Sequence, residues 1–312
     1  MAMGRYMLRR LLLSLPLLAA ISFIAFMLNS LSPVDPAEVV LHAQGVPNAT
    51  NELIAETKAA LGMDQPLWQR YWNWIVSCSK LDFGSSYVTG KPVWSLLGPA
   101  FLHSLKLTLV SVAAIVALSI ILGVLCAIRE GRMLDQATRG IAFVLTSMPS
   151  YWLGAFMIWL FAVKLDLLPT SGMDSWRSYV LPVAVITISF AGIYFRMIRS
   201  AMLSQLHEDY ALYGRACGLS ESRIALHLLR NSLQAAIPVF GMAIPTLLGS
   251  TVVVENIFAW PGLGALSVKS IVSRDFPVIQ AYVLVLAAAF VLFNTAADIA
   301  NAALNPKLRK SV

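Results

Sequence analysis

The sequence predicts an all-α polytopic membrane protein: six transmembrane helices, a small helical subdomain outside after the first, and short helices inside between the fourth and fifth. Three observations predict it. Hydrophobic residues make up 58% of the 312-residue chain and charged residues 12%, against roughly half apolar and a quarter charged in ordinary globular domains. Six nearly uncharged apolar stretches recur, each close to the length of about 20 residues that a helix needs to cross hydrocarbon while bonding its own backbone groups. Lys and Arg then gather on one side of those stretches.

The first stretch, 11–31, follows RYMLRR. It is longer than the roughly 7–15 residues of a secretory signal core and no A-x-A site follows, so segment 1–31 reads as a basic start plus a retained span. The others are 107–128, 141–163, 180–195, 235–254 and 281–304; the fourth is short and can extend to Ile198. With the N-terminus inside, that side receives Arg5, Arg9, Arg10, Arg129, Arg132, Arg139, Arg196, Arg199, Arg215, Arg223, Arg230, Lys307, Arg309 and Lys310. The other side keeps Lys58, Arg70, Lys80, Lys91, Lys106, Lys164, Arg177, Lys269 and Arg274, mostly within one long loop where the bias has little effect. Both termini are therefore expected inside, and the net charge of +7 needs no nucleic acid to explain it.

Two loops stand out by size. The outer segment 32–104 carries amphipathic NELIAETKAALGM and aromatic PLWQRYWNWI, enough for a small helical subdomain. The remainder, 105–312, is a five-helix core with an inner loop 196–234 and an outer loop 255–280. Cys78, Cys126 and Cys217 are far apart and encode neither a disulfide framework nor a zinc site.

In the inner loop, Leu203, Leu206, Tyr210, Tyr213 and Cys217 recur at spacings of three and four, one face of a helix. Gly218 stops that helix, because it takes positive φ freely and lets two helices approach closely. Ser220 then caps a second helix starting at Glu221, whose charge suits a helix N-terminus. YGRACGLSESRI has the outline of a DNA-binding helix-turn-helix, yet the would-be recognition helix presents Ile224, Ala225, Leu226, Leu228 and Leu229 in place of polar side chains. A patterned loop of this size with an exposed apolar face is a docking element rather than a solvated connector.

The same residues carry a family resemblance. HEDYALYGRACGLSESRIALHLLRNSLQAAIP resembles the coupling loop of permease subunits in ATP-binding cassette importers for peptides and nickel, which reads D-Y-x-x-T-A-R-A-K-G-L and then H-x-L-R-N-A-L-x-P. Asp209, Tyr210, Arg215, Ala216, Gly218, Leu219, His227, Leu229, Arg230, Asn231 and Pro238 match. Tyr213, Gly214 and Cys217 replace the usual Thr, Ala and Lys. LGMDQPLWQRYWNWI, LDFGSSYVTGKPV, SMPSYWLG and the closing NAALNPKLRK are also similar to family stretches, as is VVVENIFAWPGLGALSVKSIVSRDFPVIQA in the outer loop.

The resemblance implies ATPase coupling through Asp209, Tyr210, Gly214, Arg215, Ala216, Gly218, Leu219, Ser220, Arg230 and Asn231. It implies a periplasmic gate loop through Trp260, Pro261, Gly262, Gly264 and Asp275. Pro261 lacks a donor and Gly262 and Gly264 permit turns, so AWPGLG is expected as a bent element against the outer mouth of the pathway. The implied setting is a bacterial inner membrane, with a second homologous permease, two ATPase subunits holding ATP and Mg, and a periplasmic substrate-binding protein. The outer loop is closer to the nickel branch, so the expected cargo is a small peptide, a nickel ion or a nickel chelate, with metal favoured.

Chemistry in the chain itself is sparse. No G-x-x-x-x-G-K-[ST] phosphate loop occurs, so ATP hydrolysis is expected in partners and no catalytic residue is assigned. His42, His103, His207 and His227 form no ligand pair, and no metal site is expected. Asp298, inside the last span, fits packing against a partner or a part in transport. Met148, Met157, Met197, Met202 and Met242 fit either a permissive pathway or core filling. An ion-coupled transporter working alone is the alternative; it would carry charges within its spans and paired half-repeats, and beyond Asp298 neither is visible.

Overall fold

The computed structural model describes residues 2–46, 48–206 and 208–304. His207 and 305–312, with Lys307, Arg309, Lys310 and most of NAALNPKLRK, lie outside the described residues. Among the described residues the chain is helical, with one isolated β-bridge between Ser85 and Pro92. It divides into two compact units, one made of Leu8–Ser104 with Pro261–Val291, the other built on Leu105–Trp260 and the end of the last helix.

The first unit begins within α1 (Ala2–Ser30), at Leu8. Three short helices follow: α2 (Pro36–Ala43), α3 (Asn51–Ala60) and α4 (Leu67–Ser79). Asp35 caps α2 by accepting from the Ala37 N–H at 3.1 Å, and its other oxygen meets Lys58 Nζ of α3 at 2.6 Å. That pairing raises the Lys58 pKa through a hydrogen bond and the nearby charge. Thr50 caps α3 in the same way, accepting from the Leu53 N–H. Phe83 stacks on Trp94 in the first turn of α5 (Val93–Ile128), which runs for 36 residues. At about 1.5 Å per residue such a helix outreaches a hydrocarbon core of about 30 Å, so residues 93–104 of the outer segment extend the helix of the second span beyond that core.

The second unit holds the rest of α5, then α6 (Met133–Ser147) and α7 (Ser150–Met157). α7 runs into a π-helical stretch, Ile158–Lys164. The third apolar stretch is therefore not one straight helix: its two halves meet at 102°. Met148 causes the break, adopting ψ 134° as the residue before Pro149, where the proline ring disfavours helical torsions. α8 (Arg177–Leu206) has 30 residues, well beyond the short span expected there. α9 (Asp209–Ala216) and α10 (Glu221–Gly241) form the inner loop.

The fifth expected stretch, 235–254, is also divided. It comprises the end of α10, α11 (Ala243–Ser250) and α12 (Val252–Ile257). Pro245 cannot donate to the Gly241 carbonyl, and α10 ends there. Met242 and Thr251 at the breaks keep right-handed torsions, so the path remains helical in hand. α13 (Leu263–Val272) and the first half of α14 (Phe276–Leu304) belong to the first unit. Among the described residues four helices are long and apolar enough to cross a membrane, or five with the bent pair counted as one span.

The core of the second unit joins Leu107, Ile115, Leu153, Leu181, Val185, Leu247 and Trp260. α6 and α8 approach so closely that a Cβ on Gly192 would collide with Thr146.

Candidate functional site

The inner loop is a helix pair folded around Gly218. α9 ends in a Schellman motif: the Leu219 N–H donates to the Gly214 carbonyl and the Gly218 N–H to the Arg215 carbonyl, each at 3.0 Å. Gly218 takes φ +77°, as the sequence required. A Cβ there would find nothing within 4 Å, so the expected need for helix proximity at this residue is not met within the chain, and torsion alone explains the glycine. Gly214 is buried beneath Leu219 and Ile224. Ser220 occupies the cap position of α10, its carbonyl accepting from the Arg223 and Ile224 N–H groups, while its hydroxyl lies 3.4 Å from that of Ser222.

The single face expected along 203–217 is interrupted, because α8 stops at Leu206 and α9 starts at Asp209. Leu203 and Leu206 are half-buried, whereas Ala211 and Gly214 are the buried residues of α9. Ala211, Ile224 and Leu228 pack with Ala127 of α5 and with Ile198 and Met202 of α8. Burying a side chain such as Ile224 or Leu228 on the inner side is worth about 1.5–3 kcal/mol each, so α9 and α10 are fastened to α8 as a body. The opposite surface stays open: Tyr213 is 73% exposed, Leu212 57%, and Tyr210, Cys217 and Leu219 are exposed with them. Asp209, Arg215, Ala216, Arg230 and Asn231 are exposed too. Arg215 pairs with Glu221 at 3.3 Å, and Tyr210 donates to Gln205 at 2.9 Å. The structure thus brings Asp209, Tyr210, Gly214, Arg215, Ala216, Gly218, Leu219 and Ser220 together on α9 and its turn, with the buried Gly214 serving the packing, while Arg230 and Asn231 lie midway along α10.

The outer-loop residues fall on either side of the boundary between the units. Trp260, in the second unit, is fully buried and meets Tyr179 edge-on at 4.6 Å. It closes α12, its N–H donating to the Glu255 carbonyl at 2.8 Å across Ala259, which carries φ +46°. The positive torsion is therefore at Ala259, whereas Gly262 is extended (φ −98°, ψ −179°) and Gly264 lies within α13. In the first unit the Pro261 carbonyl lies 3.1 Å from His103 Nδ1, and the Leu263 N–H donates to Ser104 Oγ at 2.7 Å. Asp275 is buried and accepts from Ser86 Oγ at 2.5 Å and from the Tyr87 N–H at 2.9 Å, tying down the GSSYVTG turn.

Sequence reasoning missed the ion pair that holds α6 to α8. Arg199 donates from Nε and an Nη to the two oxygens of Asp135 at 2.7 and 2.8 Å, and the Gly131 N–H caps the same carboxylate at 3.0 Å. Asp135 is fully buried. The available signal was a carboxylate in the first turn of a helix whose later turns are largely apolar. Also missed was a cavity of about 220 Å³ at the α6–α7 bend, lined by Met148, Ser150, Ser189, Leu247, Ser250 and Thr251 among others. Met148 thus lines a cavity, Met202 fills the core, Met157 and Met197 pack at its edge, and Met242 is exposed. Asp298 is half-buried on α14. Among the described residues no group of three or more His, Cys, Asp or Glu is placed to hold a metal ion.

Long apolar helices joined by a helix hairpin with exposed tyrosines are the build of a transporter's membrane subunit. The chain belongs to the family of binding-protein-dependent transport system inner membrane components, whose model matches residues 119–310, with its N-terminal companion model matching 3–108. It is a permease subunit of an ATP-binding cassette importer, which sets aside the transporter working alone. It is 51% identical over 308 residues to the metal-staphylopine import system permease protein CntB of Staphylococcus aureus, covering 99% of both chains. It is 36% identical over 308 residues to the glutathione transport system permease protein GsiC of Escherichia coli, covering 98% of this chain and 99% of that one. In fold it is similar to the inward-facing MetNI methionine ABC transporter, with a TM-score of 0.58 at 21% identity over 67% of this chain and 96% of that one.

Proposed function

We propose that this permease subunit carries a metal–chelate complex inward across the bacterial inner membrane. The carrying observation is the 51% identity, over 99% of both chains, to a permease named for metal-staphylopine import. The similarity to a glutathione permease supports a second reading, a small peptide. Both are cargoes wrapped in organic groups, which need no metal ligands from the channel wall.

The subunit pairs with a homologous permease, two ATPase subunits and a periplasmic binding protein, and crosses the membrane six times with both termini inside. The bent pair α6–α7 makes the third crossing, and α10 to α12 make the fifth. The α9–α10 hairpin docks in a groove of an ATPase through Tyr210, Leu212, Tyr213 and Leu219, whose exposed apolar surface would leave water on docking. ATP and Mg act in those partners. Because Ile224 and Leu228 lock α10 onto α8, a push on the hairpin moves both helices as a lever. The outer segment with Trp260, Pro261 and Asp275 closes the external mouth.

The test is the ligand of the cognate binding protein, identified by mass spectrometry and metal analysis, followed by uptake of that complex in cells with and without this chain. A metal with an organic chelator is expected, with uptake lost in the deletion. A metal-free dipeptide would shift the assignment to peptides; a sugar, a phosphate or a single amino acid would reject it.

A further inference from the structure

As a membrane span α1 is closely matched to the bilayer. Its apolar stretch, 11–31, starts right after Arg9 and Arg10 and makes about 31 Å of helix against a hydrocarbon core about 30 Å thick. Ser30 therefore marks the outer edge of the hydrocarbon. α4, in the same unit, meets α1 below that edge. Tyr71 packs edge-on against Phe23 and Phe26 at 5.2 and 5.5 Å, and Trp74 lies 5.9 Å from Phe26. The Tyr71 hydroxyl reaches deeper, standing 2.8 Å from the Ser22 hydroxyl and donating to the Ala19 carbonyl at 3.3 Å. Phe26 and Phe23 lie roughly 6 and 10 Å before Ser30 along the axis.

We propose that α4 lies within the outer leaflet as an interfacial helix, bound to membrane phospholipid. Its depth matches the 5–10 Å or so at which such helices bury their apolar face. Trp68, Trp72 and Val76 recur every four residues and form an exposed stripe, Trp68 at 71% and Trp72 at 64%. Indole rings, with an apolar body and one N–H donor, suit the headgroup boundary. α4 contains no acidic residue, and its single cation, Arg70, lies 5.9 Å over the Phe26 ring. Lipid is the favoured occupant because the helix α4 rests on is itself open to lipid, with 11% of its apolar stretch buried.

The proposal rests on α1 being a span, not on the cargo. The test uses the whole transporter in phospholipid nanodiscs with Cys217 replaced by Ser; Cys126 and Cys78 are buried, the Cys78 thiol pushed up to about 12, and both stay unlabelled. Nitroxide labels are placed singly at Trp72→Cys, Ile24→Cys and Thr89→Cys, and relaxation by oxygen is compared with relaxation by water-soluble chromium oxalate. Trp72→Cys is expected to favour oxygen several-fold, as Ile24→Cys does, with Thr89→Cys reversed. Trp68→Cys repeats the measurement if Trp72→Cys fails to assemble. A label on α4 that behaves like the one at Thr89 overturns the proposal. So does one shielded from both reagents, which marks a protein occupant. A water-like response at Ile24 removes the span and the proposal together.

Discussion

At Gly218 a glycine can be required by its torsion or by lack of room, and the two reasons predict different substitutions. The torsion is φ +77°, with open space where a Cβ would stand. Gly218→Val should therefore abolish uptake while leaving the protein in the membrane, since a left-handed torsion costs an ordinary residue about 1–2 kcal/mol and a β-branched one more. Gly218→Asn, which tolerates that region, should keep most of the activity. Uptake assays with immunoblots of the membrane fraction check both; equal loss in the two variants would mean that the partner, not the torsion, excludes the side chain. Gly214 is the converse case. A Cβ there meets Leu219 Cδ1 at an ordinary 3.4 Å, and Gly214→Ala in a helix gains up to about 1 kcal/mol of propensity. The alanine usual in this family therefore fits, and Gly214→Ala should match or exceed the parent in thermal stability and transport.

Among the elements, those set by a single residue in its own backbone context were legible: the turn at Gly218, the start of α10 after Ser220, and the long apolar helices. Elements set by tertiary partners were not. Pro149 and Pro245 stood in view within apolar stretches, but hydropathy averages over a proline, and whether the chain bends by 102° or continues in hand depends on what packs at the break. Arg199 was readable only as a marker of the inner side, because its partner Asp135 is 64 residues away. That pair now carries a prediction. Removing one member of a buried ion pair strands the other and costs about 3–5 kcal/mol, whereas replacing both with apolar residues of similar size is far milder. Asp135→Asn should lower the apparent melting temperature of the purified complex markedly, and Asp135→Leu with Arg199→Met should recover much of the loss. A double variant as unstable as the single one would show that the pair also meets a need the apolar residues cannot fill.

For the whole molecule, the distribution of charge and the two exposed loops make one joint claim: Thr89 faces outward, Cys217 faces inward, and Cys217 sits on the surface that an ATPase covers. The native cysteines make the claim testable with little engineering, since Cys217 is exposed while Cys126 and Cys78 are buried, Cys78 with its pKa raised to about 12. Burial and the neighbouring Asp82 charge both disfavour the Cys78 thiolate, so it should stay unreactive at neutral pH. In cells with a permeable outer membrane, an impermeant maleimide should modify Thr89→Cys and spare Cys217. After the inner membrane is opened, Cys217 should react readily in the subunit expressed without its ATPases and slowly in the assembled importer, because Tyr213 and Leu219 beside it would then be covered. Labelling of Cys217 in sealed cells would invert the topology. Equal labelling with and without the ATPases would leave the topology standing and move the docking surface elsewhere on the chain.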